Sequence, residues 1–267
     1  MSLYRSLACA FAIVALLGAA PAGWLGRPPA FPRYRDNTPP GLQIRSITPE
    51  RPPAPPSIPP AAPKPPRVNP AGLVTGAAPE VRAAPVAGPP VLVDLLARVP
   101  RPFYWRDEAE PGDLVTWAHE ATHGMTSVVS GGGYGLYLLD GRAVVFKRHP
   151  RVTIGQVAAM IPAGERGEVF DLYLVRQRVD WDREPLYLLD EWNAYVHGTI
   201  ARRQTGQADR QETERYASEM ARYCGWLVKA VERFDPTYPE IDQLRGFVEW
   251  QSQRFDAIVA GGKFVLR

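Results

Sequence analysis

The chain has 267 residues, 45% of them hydrophobic and 22% charged, but 21 of its 29 prolines fall between Arg27 and Pro100, which excludes one fold running through the whole length. The formal net charge of +3 is divided, since residues 27–101 carry 10 basic against 4 acidic groups and residues 102–267 carry 20 against 24. The part able to fold is therefore acidic overall, which excludes the basic footprint of a nucleic-acid binder, and no nucleic-acid partner is expected.

The N-terminus, MSLYRSLACAFAIVALLGAAPAG, carries one arginine, an uncharged apolar run from Leu7, and Ala20-Pro21-Ala22, the small-x-small pattern that signal peptidase cleaves. Residues 1–22 are read as a signal peptide. The rival is an uncleaved anchor, because no charge lies between Ser6 and Gly26 and about 20 uncharged residues can span a bilayer. A membrane partner follows only from that rival; both readings export the remainder, to be secreted, periplasmic or held in a cell envelope. Lipidation is disfavoured, since Cys9 precedes most of the apolar run and Ser6 stands where a lipobox has leucine. With Cys9 removed, Cys224 is left alone and the mature monomer has no internal disulfide. Cys224 lies on the stripe Tyr216, Met220, Cys224, Leu227, Val231, Phe234 and reads as a small buried side chain rather than a nucleophile.

Residues 23–100 contain PERPPAPPSIPPAAPKPP and few aromatics, a composition that cannot bury enough apolar surface to offset the entropy of ordering. They read as a disordered, proline-rich linker. At about 3.1 Å per residue in polyproline II, roughly 70 residues reach on the order of 200 Å when fully extended. A passive spacer is preferred over a ligand for proline-recognising domains. Near its end, VLVDLLARV (91–99) is an apolar patch able to dock on the domain as a helical turn or strand.

The folded domain is set at residues 101–267, where aromatic and aliphatic residues become frequent enough to build a core. Pro111-Gly112-Asp113 offers a turn and an N-cap for a helix to about Val128, closed by Gly131 to Gly133. In YGLYLLDGRAVVFK (134–147) an Asp-Gly pair divides two apolar runs, a β-hairpin signal. Thr153 caps a short helix to Met160, EVFDLYLV (168–175) reads as a strand, and helices follow at 186–203, 209–234 and 239–259. Strands followed by helices gathered at the C-terminal end predict an α+β domain.

The chemistry concentrates in TWAHEATHG, residues 116–124. At about 100° per residue, Leu114, Trp117, Ala118, Ala121, Met125 and Val128 share an apolar face, while His119, Glu120 and His123 lie opposite, outside the core stripe. Histidines four apart stand one helical turn apart and can aim two nitrogens at one metal ion, with the adjacent glutamate in reach of a water on it. Their placement off the stripe weakens the plainer reading of two structural histidines.

HEATHG resembles the HExxH zinc metallopeptidases. The resemblance implies Zn2+ as cofactor, His119 and His123 as its ligands, Glu120 as general base, a zincin-like fold and a peptide or protein substrate. No histidine or acid follows at the spacing of the extended metzincin pattern, so a third ligand must come from further along. In LYLLDEWNAYVHG (186–198), Glu191 projects from a later predicted helix, which is similar to the gluzincin arrangement of two histidines and one glutamate. Tyr195, one turn on, shares the face of Glu191 and is a candidate oxyanion donor, as is His197. Asp190 with His197 forms a rival ligand-bearing face, and His149, ahead of Pro150 in a loop, is a further alternative whose default is an exposed histidine. Glu191 follows His123 by 68 residues, and Tyr195 stands where the thermolysin-type ExxxD pattern has its acid. Trp192, Val196 and Ile200 have core spacing.

The leading reading is an exported zinc-dependent peptidase that hydrolyses peptide bonds through a metal-activated water, with Glu120 as general base. The alternative is a non-catalytic, zinc-stabilised binding module presented on a proline-rich tether. A metal-free interaction domain is the third.

Overall fold

A computed structural model describes residues 73–77, 89–99, 113–129, 132–207 and 211–261. The expected signal peptide, most of the expected linker and the Pro111-Gly112 turn lie outside the described residues. No helix among the described residues is long and apolar enough to cross a membrane. The elements run β1 (Gly76–Ala77), α1 (Pro90–Arg98), α2 (Leu114–Thr126), β2 (Tyr134–Leu139), β3 (Arg142–Phe146), α3 (Ile154–Met160), a 3-10 turn (Ala163–Glu165), a π-helix (Phe170–Arg176), α4 (Arg178–Trp181), α5 (Tyr187–Thr205), α6 (Glu212–Phe234) and α7 (Ile241–Val259). This is an α+β arrangement, mostly helical, with a small antiparallel sheet of strand order β1-β3-β2.

Local chemistry explains the element ends. Asp113 accepts a hydrogen bond from the Thr116 amide at 3.0 Å and starts α2 as its N-cap. Thr153 and Gln156 form a reciprocal capping box at the start of α3, at 3.1 and 2.8 Å. Asp140 and Gly141 both have positive φ, 54° and 72°, as a two-residue hairpin turn requires. Leu139 also has positive φ, 76°, at the point where the β2–β3 register shifts. A leucine held there costs about 1–2 kcal/mol, so its surroundings must fix it. One source is Asp94 of α1, whose carboxylate accepts the Tyr137 hydroxyl and, at 3.3 Å, the Asp140 amide.

The apolar patch before Pro100 docks as the helix α1, burying Val91, Leu92, Leu95 and Leu96. β1 adds a short third strand, pairing Gly76 with Ala143 and Ala77 with Arg142. The folded part thus takes in residues N-terminal to the boundary expected at 101.

The strand expected at 168–175 is a correction: the segment is helical, and most of it is a π-helix. Its buried positions are Val169, Phe170, Tyr173, Leu174 and Gln177, with Asp171 and Val175 exposed, a helical period rather than an alternation. Glu219 of α6 accepts the Phe170 amide at 3.1 Å and so caps the segment from a distant element.

α5 is the axis of the molecule. Every residue from Tyr187 to Ala201 is buried, with α1, α2, α6, α7 and β2 packed around it. Trp192, Val196 and Ile200 are core, as their spacing predicts. Cys224 is core too, its thiol 3.4 Å from the Leu188 carbonyl and pushed well above its ordinary pKa by burial. A helix enclosed on all sides must satisfy each polar group it carries or aim it at a ligand.

Candidate metal centre

α2 and α5 cross antiparallel, Thr126 meeting Asp190, Thr122 meeting His197 and Val115 approaching Gly198. This crossing covers the face of α2 that bears His119, Glu120 and His123. That face lies outside the apolar stripe, yet His119 and Glu120 are buried because a second helix packs on it.

The crossing brings three expected ligands together. His119 Nε2 and His123 Nε2 are 3.2 Å apart, Glu191 Oε2 is 3.5 Å from the first and Glu191 Oε1 is 3.6 Å from the second. A tetrahedral zinc ion with bonds of about 2.0–2.2 Å spaces its ligand atoms about 3.3–3.6 Å apart. The residues therefore fit a metal ion, and His119, His123 and Glu191 could hold one.

Asp190, the rival ligand, has a different place. Its Oδ2 lies 2.9 Å from His123 Nδ1, and its Oδ1 accepts from the Thr126 hydroxyl at 2.8 Å. A proton on Nδ1 turns the Nε2 lone pair toward Glu191 and His119, the form of histidine that ligates metals. Burial disfavours a charged His123, but the carboxylates of Asp190 and Glu191 outweigh it and raise its pKa well above the ordinary value. Burial likewise pushes the Glu191 carboxyl up, and His123 and His119 more than reverse that, holding it well below the usual range. Both directions describe a cluster that favours positive charge at its centre.

Glu120 is fully buried, and neither of its carboxylate oxygens has a hydrogen-bond partner among the described residues. Burial raises its pKa, opposed by the nearby His119 and His123. Tyr195 packs its ring edge-on against His119, centroids 4.5 Å apart, while its hydroxyl lies 2.8 Å from that of Tyr173. Burial keeps this phenol neutral. His197 is buried behind the cluster with Nδ1 2.9 Å from the Thr122 hydroxyl, and desolvation lowers its pKa well below the ordinary value. His149 stands apart, an exposed loop residue against Tyr134 with centroids 5.1 Å apart.

The chain matches no protein-family model, no curated protein and no solved structure.

Several residues beside the cluster escaped the sequence. Tyr173 of the π-helix meets the Tyr195 hydroxyl, Tyr187 donates to Glu191 Oε1, and Gln177 lies 3.3 Å from the Tyr187 hydroxyl. The one available signal was Tyr187, which precedes Glu191 by a helical turn and so shares its face. In sum, the site offers two imidazole nitrogens and one carboxylate to a cation, with a second, unpartnered carboxyl beside them.

Proposed function

We propose that this domain is a zinc-dependent peptidase with a zincin-like fold, acting on a peptide or protein after export. The observation that carries this reading is Glu120, a buried carboxyl with no hydrogen-bond partner among the described residues, beside a two-histidine, one-glutamate donor set. Bound at His119, His123 and Glu191, zinc would supply Lewis acidity and lower the pKa of a water molecule. Glu120, beside that donor set, would take a proton from an attacking water and pass it to the leaving amine. Tyr195 is favoured over His197 as oxyanion donor, because its ring packs against the candidate ligand His119. Export is supported by the apolar N-terminal run and its Ala20-Pro21-Ala22 site.

Glu120→Gln in the full-length chain is the test. One zinc per chain should remain, and zinc-dependent hydrolysis of a peptide library should fall by about 100-fold or more. Undiminished hydrolysis would remove Glu120 from the mechanism.

A second reading, a zinc-stabilised binding module without turnover, is favoured by a specific observation: His119 is 5% exposed, Glu191 1% and Glu120 0%. An ion so enclosed ties α2 to α5. Chelation would then lower stability cooperatively, and no peptide would be cut.

A further inference from the structure

The Glu191 carboxylate faces both histidines with nearly equal reach, Oε2 3.5 Å from His119 and Oε1 3.6 Å from His123. Distance alone therefore does not decide whether one oxygen or both would bind an ion. Hydrogen bonding separates them. Oε1 accepts from the Tyr187 hydroxyl, whereas Oε2 is buried without a hydrogen-bond partner among the described residues.

Tyr187 is itself held from outside the cluster. Its ring stacks on Trp181 with centroids 4.3 Å apart and planes 10° from parallel. The side-chain amide of Gln177, at the end of the π-helix, lies 3.3 Å from its hydroxyl, and Gln177 Nε2 is buried without a partner among the described residues. A half turn of that amide exchanges its oxygen and nitrogen. With nitrogen toward Tyr187, Gln177 donates to the phenol oxygen, its orphaned NH2 gains an acceptor, and the single phenolic proton is committed to Glu191. The result is a directed chain from Gln177 through Tyr187 to Glu191 Oε1.

We propose that Tyr187 is a positioning residue that occupies Oε1, restricts Glu191 to binding a metal ion through Oε2 alone, and thereby keeps one coordination position open. The inference rests on the reading of His119, His123 and Glu191 as a metal centre. Its weight lies in the contrast between catalytic zinc sites, which keep an open position beside three protein ligands, and structural sites, which close it. The same chain gives the π-helix a role at the site, since it sets Gln177 at the phenol.

The test uses Co2+ as probe in the full-length chain, comparing wild type with Tyr187→Phe, which keeps the ring stacked on Trp181. Four-coordinate Co2+ absorbs visible light more strongly than five-coordinate Co2+, because a tetrahedral field mixes more p character into the d orbitals. Both proteins should bind one ion, and the variant should lose visible intensity as Oε1 joins the coordination. Gln177→Leu should move the spectrum the same way by a smaller amount. Identical spectra in wild type and Tyr187→Phe, or loss of the ion from the variant, would overturn the proposal. Should Tyr187→Phe fail to fold by circular dichroism, an unchanged spectrum in Gln177→Leu overturns it instead. Absence of Co2+ binding by wild type would overturn the metal centre itself, whereas identical spectra on two loaded proteins would overturn only the role of Tyr187.

Discussion

α5 carries two buried polar clusters, one facing α2 and one facing β2 and α7. In the second, Asn193 Nδ2 donates to the Tyr137 carbonyl at 2.7 Å, Gln251 Nε2 donates to Asn193 Oδ1 at 2.9 Å, and Arg254 donates to Gln251 Oε1 at 3.1 Å. Every side-chain amide group in that chain has a partner. The cluster facing α2 is different: both oxygens of Glu120 and Oε2 of Glu191 are buried with none among the described residues. An unpartnered buried polar group is costly, so a cluster serving stability closes on itself, and one that receives a ligand keeps acceptors in reserve. The two faces of one helix thus separate a chain of partnered amides from buried carboxylate oxygens that lack partners among the described residues.

That separation can be broken by substitution. Glu191→Ala is expected to abolish stoichiometric zinc in the dialysed full-length protein, measured as metal per chain; equal zinc in variant and wild type would remove Glu191 from the ligand set. Asn193→Ala attacks the closed cluster, stranding the Tyr137 carbonyl and the Gln251 amide, and is expected to cost about 2–4 kcal/mol in urea unfolding of the metal-free protein. Its zinc stoichiometry should not change, and a loss of zinc there would mean that the two clusters act as one. Asp190→Asn should weaken zinc binding by about 10–100-fold in a competition titration with a chelator, because it perturbs the partner that orients His123. An unaltered affinity would make the Asp190–His123 contact incidental to the site.

Much of this was legible in the residues because it is local. The Asp113 and Thr153 caps, the Asp140-Gly141 turn and the spacing of His119 and His123 are each settled within a few residues of chain. Choosing between Asp190 and Glu191 was not local: both lie in one turn of α5, and the crossing with α2 sets Glu191 against the Nε2 atoms of both histidines and Asp190 against Nδ1 of His123. The segment 168–175 misled because β-branched and aromatic residues suggest a strand, while tertiary contacts, among them Glu219 on the Phe170 amide, stabilise a helix. Reading that segment as a strand hid Tyr173 and Gln177 from the site. The docking of α1 was half visible, as an apolar patch whose partner, the hairpin tip, lies more than 40 residues away in sequence.

The enclosure of His119, Glu120 and Glu191 between α2 and α5 also has a kinetic meaning. An ion seated there is released when that helix pair parts, so its residence time is set by the opening rate of the pair rather than by bond exchange at the ion. Chelator access would share that opening as its slow step.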